Sequence, residues 1–160
     1  MTGRLNFQGS NLLIGTLGLI LTVTVVAIDD GDNSVLAATL QSGTSIWDGV
    51  YTEEQAARGQ KAYVRDCAQC HLEDLLGDGI ATALIGDPFT FRWSDLSVGD
   101  MFVVIRTTMP EGAAGSLSRR RYLDIISYLL QANEFPAGDT ALPRRASALE
   151  QIIIQIEPPQ

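Results

Sequence analysis

Both cysteines of the chain and its only histidine fall within one pentapeptide, Cys67-Ala68-Gln69-Cys70-His71. Three chemistries use such a set. A structural zinc site takes four ligands, and this chain offers three soft ones unless a carboxylate joins them. A thiol redox pair of the C-x-x-C type works in a βαβ setting, and no strand of convincing alternation flanks this motif. The third is covalent haem attachment, for which C-x-x-C-H is the direct signature. Two thiols add to the two haem vinyl groups, the intervening residues set their separation, and the adjacent imidazole lies against the iron. Haem c, one per chain, is the reading this spacing favours, with zinc and thiol redox chemistry as the alternatives. Two cysteines three positions apart enclose too little chain to serve as a disulfide framework.

An iron held by one histidine needs a sixth ligand or keeps an open position. No second histidine exists, which leaves Met1, Met101 and Met109. Met101 lies on an apolar helical stripe, where methionine fills a core. Met109 precedes Pro110 at a helix exit, 38 residues beyond His71, and is the better candidate. His71/Met109 ligation raises the reduction potential and closes the iron to substrate, as suits an electron carrier. The alternative is a haem peroxidase or gas sensor in which the methionine is displaced.

These residues need elements to position them. Thr52 followed by Glu53, Glu54 and Gln55 reads as a capping box opening a helix over 53–65. Gly59 interrupts it at a cost of about 1 kcal/mol relative to alanine. Residues 72–96 are rich in Gly and Asp, with Pro88 in the middle, and read as a loop with at most a short helical turn. Ser97 caps a second helix whose Val98, Met101, Phe102 and Ile105 share one face; it ends near Thr107. Ser118 caps a third, to about Ala132, with Tyr122, Ile125, Ile126, Leu129 and Leu130 as its apolar face. In the tail, Leu149, Ile152, Ile153 and Ile156 fit a helix, while Ile152, Ile154 and Ile156 fit a strand equally well. Three good helices and no secure strand predict an all-α domain.

The other segments are read by composition. Residues 12–28 carry no charge, with Arg4 before them and Asp29, Asp30 and Asp32 after. Residues 1–28 therefore read as a signal peptide or an N-terminal membrane anchor, either of which puts the domain outside the cytoplasm. Residues 29–46 read as a linker, 47–137 as the haem domain and 138–160 as a C-terminal extension. The net charge of −8 and single lysine, Lys61, exclude a nucleic-acid role.

Taken together, residues 47–137 resemble class I c-type cytochromes, the bacterial periplasmic monohaem domains that partner dehydrogenases. Besides the haem motif, the resemblance rests on Trp47 to Thr52, Arg58-Gly59, Tyr63, the run Ile105-Arg106-Thr107-Thr108-Met109-Pro110, and Tyr122 to Asn133. It implies a cytochrome c-like fold in which the first and third helices cross beside the haem, with Gly59 as the close-approach point near Tyr128. It implies axial ligation by Met109 and a redox-partner role, with a periplasmic dehydrogenase as donor and an oxidase or other cytochrome as acceptor. It also implies that a backbone carbonyl at Thr82, where proline is common, accepts a hydrogen bond from His71. Leu72 stands where glycine is frequent. Arg92 and Trp93 are candidates to bond a haem propionate. Arg119-Arg120-Arg121 opens the third helix and reads as a solvated helix start or as a docking patch for an acidic partner.

Overall fold

A computed structural model describes residues 43–159. The expected signal or anchor segment, and the linker up to residue 42, lie outside these. A two-residue strand β1 (Thr44–Ser45) leads into a 3-10 turn (Ile46–Asp48). Six helices follow: α1 (Glu53–Asp66), α2 (Ala68–His71), α3 (Asp87–Trp93), α4 (Val98–Thr108), α5 (Arg119–Ala132) and α6 (Ala146–Leu149). Strand β2 (Ile152–Ile153) pairs parallel with β1. Among the described residues no helix is long and apolar enough to cross a membrane.

The three principal helices start where their capping residues stand. The hydroxyls of Thr52, Ser97 and Ser118 accept from Gln55, Asp100 and Arg121 N–H respectively. At Ser97 the box is reciprocal, since Asp100 Oδ2 accepts from the Ser97 N–H at 2.9 Å. At Thr52 it is not, because Gln55 Oε1 is diverted to the Leu142 N–H at 2.8 Å. A side chain read as a cap is thus a tether for the tail.

Helices α1 and α5 cross at Gly59. A Cβ there would collide with the Asp124 carbonyl oxygen and lie 2.9 Å from the Tyr128 Cβ, so only glycine permits this approach. Arg58 grips Asp124 at the crossing through Nε (3.2 Å) and Nη2 (3.1 Å), and Tyr63 packs on Tyr128 with ring centres 5.4 Å apart. The apolar stripes of α4 and α5 close the core: Val98, Met101, Phe102, Tyr122, Ile125, Ile126, Leu129 and Leu130 are all buried.

Two expectations need correction, and one open choice is settled. Residues 87–93 form a helix rather than loop, because Pro88 sits in its first turn, where no N–H bond is lost. Residues 43–46, read as the end of a linker, belong to the folded unit: Ile46 is fully buried and β1 is paired. The tail resolves its ambiguity by using both forms, a helical turn and then a strand. Leu142, Leu149, Ile152 and Ile154 are buried, and Trp47 Nε1 donates to the Gln155 carbonyl at 2.8 Å.

Candidate functional site

Helix α1 ends at Asp66, and Cys67 caps it with its N–H on the Tyr63 carbonyl (2.8 Å). The chain then makes a single turn, α2, in which the Cys67 carbonyl accepts from the N–H of Cys70 (3.2 Å) and of His71 (3.0 Å). Neither cysteine is in a disulfide; Cys67 is half-buried and Cys70 exposed. His71 is buried, and its Nδ1 lies 2.9 Å from the Thr82 carbonyl oxygen. A carbonyl only accepts, so Nδ1 carries the proton and Nε2 keeps its lone pair for another partner. After His71 the backbone turns sharply. Leu72 has φ 61° and ψ 162°, a region essentially reserved for glycine. The buried Tyr63 hydroxyl donates to the carbonyl of this strained residue at 2.6 Å.

The facing wall has a different construction. Helix α4 runs to Thr108, and Met109 leaves it in extended conformation (φ −122°, ψ 153°) with its N–H on the Ile105 carbonyl (2.8 Å). The Met109 carbonyl accepts from the Tyr122 hydroxyl on α5 at 2.8 Å. Tyr122 is itself fully buried, its ring edge-on to Phe102.

Between the walls lies a cavity of about 410 Å3, within the roughly 300–1,000 Å3 of cofactor and small-molecule sites. Cys67, Cys70, His71, Thr82 and Met109 all line it. Its apolar walls come from Leu84, Ile105, Ile125 and Leu129. One imidazole and one thioether, with two thiols alongside and hydrocarbon between, is a donor set that fits a haem. It does not fit a compact metal cage: among the described residues no three His, Cys, Asp or Glu side chains converge as one.

Several candidates lie elsewhere. Met101 is buried in the core and does not line the cavity. Arg92 stacks over Trp93, 4.6 Å from the ring centre, and neither lines the cavity. Three side chains make hydrogen bonds that the sequence did not assign. Tyr63 belongs to the resemblance and Tyr122 to an apolar stripe; the hint in both is a hydroxyl on a buried position, which needs a partner. Asn133, just past the end of α5, donates to the Leu84 carbonyl (3.0 Å) and accepts from the Gly86 N–H (3.1 Å), which fixes the segment after Thr82.

The family model of cytochrome c oxidase, cbb3-type, subunit III matches residues 54–129, just under half of the chain. The match runs from the first turn of α1 almost to the end of α5, so it spans both cysteines, His71 and Met109. The fold is cytochrome c-like. Its helices and the match together support a c-type cytochrome domain, a haem-bearing electron-transfer unit. No curated protein and no solved structure matches the chain.

Proposed function

We propose that the protein is a one-electron carrier with a single haem c, attached through Cys67 and Cys70 and ligated by His71 and Met109. The observation that carries this is the convergence of all four side chains on one apolar cavity. When bound, the haem iron takes up and releases one electron without any bond chemistry in a substrate. The chain's own residues do the rest. His71 offers Nε2 because Thr82 holds the proton on Nδ1. Met109 offers a thioether, a neutral ligand that favours the reduced state. Leu84, Ile105, Ile125 and Leu129 limit water between the two ligands. With His71 and Met109 both on the iron no position is left for a substrate, which supports a carrier rather than an enzyme.

The reading extends to place and partners. The uncharged stretch 12–28, flanked by Arg4 and three aspartates, supports export to the periplasm, either soluble after cleavage or anchored to the inner membrane. Redox proteins are the partners: a periplasmic dehydrogenase as donor, and an oxidase or another cytochrome as acceptor. The matched family's description as an oxidase subunit supports the acceptor side.

Mass spectrometry of the exported protein tests the attachment. One haem per chain, located on the peptide bearing Cys67 and Cys70 and absent from the Cys67→Ala/Cys70→Ala double variant, is the expected result. A colourless protein, or colour retained in the double variant, contradicts it.

A further inference from the structure

The carbonyl that meets His71 belongs to a stretch with little of its own to hold it. Residues 78–83 lie outside every helix and strand, and among the described residues no backbone–backbone hydrogen bond begins or ends within them. Packing does not fix them either. Ile80 is 96 % exposed, Thr82 is exposed, and a Cβ on Gly79 would meet nothing within 4 Å. Yet the Thr82 carbonyl oxygen lies 2.9 Å from His71 Nδ1. Backbone this open needs a partner from elsewhere to hold one conformation.

Asp78 is that partner. Its Oδ1 accepts from the N–H of Ile80 (2.9 Å) and of Ala81 (2.8 Å), an Asx turn in which a side chain replaces a backbone acceptor. The Ala81 bond foremost, then the Ile80 bond, holds the carboxyl below the ordinary aspartate range, so it is a full acceptor at neutral pH. No lysine or arginine among the described residues draws it away into an ion pair. The ends of the loop are tied separately. Gly77 N–H donates to the His71 carbonyl at 3.0 Å, and Leu84 N–H to the Leu75 carbonyl at 2.8 Å. The turn is wound so closely that a Cβ on Gly77 would collide with the Ala81 carbonyl oxygen. Between these ties, Asp78 grips the residue adjoining Thr82 and lines the cavity beside His71. Asp74 offers a contrast within the same loop. Its Oδ1 accepts from the Leu76 N–H at 3.0 Å, a similar turn, but it ends before Gly77 and Asp74 does not line the cavity.

We infer that Asp78 is a positioning residue for His71: through the Ile80 and Ala81 N–H groups it holds the Thr82 carbonyl on Nδ1, and so sets how firmly the imidazole is oriented and how strongly Nε2 donates. A hydrogen bond on one imidazole nitrogen raises the basicity of the other. The redox consequence rests on the proposed function, whereas the positioning does not.

Isotope-labelled histidine gives the test a single signal, because His71 is the chain's only histidine. Exchange of its Nδ1 proton with water is measured by NMR on the full-length, haem-loaded protein kept reduced. Exchange should be at least about tenfold faster in Asp78→Ala than in wild type. Asp78→Asn keeps an Oδ1 acceptor and loses only the charge, so it should stay close to wild type. Asp74→Ala should match wild type as well. The midpoint potential is the second readout. A weaker Nδ1 bond makes the imidazole a poorer donor and favours Fe(II). The potential should therefore rise further in Asp78→Ala than in Asp78→Asn, which shares the lost charge. The inference is overturned by wild-type exchange in Asp78→Ala, by Asp78→Asn behaving as Asp78→Ala in exchange or in potential, or by equal acceleration in Asp74→Ala. The optical spectrum of the same samples reports haem attachment, and the His71 exchange is read with or without haem, so failed positioning and a failed carrier reading are told apart.

Discussion

The two walls of the cavity are built differently. The His71 wall is assembled from near neighbours: a capped helix end, one helical turn, a strained Leu72, and a carbonyl eleven residues on. The Met109 wall is an extended residue at a helix exit, and the bond that fixes its carbonyl comes from Tyr122 on another helix. The imidazole is thus set by local backbone geometry, the thioether by the docking of α5. The first is therefore written into a short local segment, and the second depends on the tertiary fold.

The largest test of that difference removes the proposed methionine ligand. Met109→Ala should lower the reduction potential by an amount on the order of tenths of a volt, within the span of about 0.8 V that axial ligands command. It should also open the iron to cyanide. Met101→Ala, in the core, should keep the spectrum and instead lose about 2–5 kcal/mol of stability in denaturant titration. Equal potentials in the two variants would erase the distinction between a ligand and a packing methionine.

Strain on the His71 wall is the next lever. Leu72 holds a conformation that costs of order 1–3 kcal/mol for a residue with a side chain. Leu72→Gly should therefore stabilise the protein by about 1 kcal/mol, after the added freedom of the unfolded chain is subtracted. Urea unfolding checks this, and a destabilised variant would show the strain to be absent.

The two tyrosines give a matched pair of smaller effects. Each Tyr→Phe change removes one hydrogen bond, worth about 1 kcal/mol. Tyr122→Phe should also make Met109 easier to displace, read as tighter cyanide binding, while Tyr63→Phe should leave cyanide affinity nearer to wild type. The same affinity in both variants would show that Tyr122 does not govern the methionine.

Alkaline pH tests Tyr63 by the difference between wild type and Tyr63→Phe, since Tyr51 is raised by burial as well. Its burial, foremost, raises the hydroxyl well above the ordinary tyrosine range, with Cys67, Tyr128 and Asp74 adding to the shift. The folded protein holds this proton more firmly than the unfolded chain. The stabilisation is complete below about pH 10, the unfolded value, and is lost as pH rises beyond it. Stability measured from pH 8 upward should fall less steeply in Tyr63→Phe than in wild type.

The sequence disclosed what local rules govern. Caps at Thr52, Ser97 and Ser118 start the helices where the structure starts them, and the apolar stripes of α4 and α5 are buried as their spacing predicts, except the half-buried Ile105. Gly59 was legible through resemblance, and the structure supplies its cause in the Asp124 carbonyl. What stayed hidden depends on distant partners. Strands β1 and β2 are two residues each and lie about a hundred positions apart, so neither carries a periodic signal. Gln55 looks like half of a capping box until Leu142 claims it. Arg119 and Arg120 are adjacent and chemically identical, yet one covers Phe102 and the other faces solvent.

The central claim is that Met109 faces His71 across a bound haem. The ferric optical spectrum of the purified full-length protein tests it most directly. A low-spin c-type spectrum carrying the weak charge-transfer band of methionine ligation, lost in Met109→Ala and kept in Met101→Ala, is the predicted result. A high-spin ferric spectrum in the wild type that changes at once with cyanide or peroxide would contradict it.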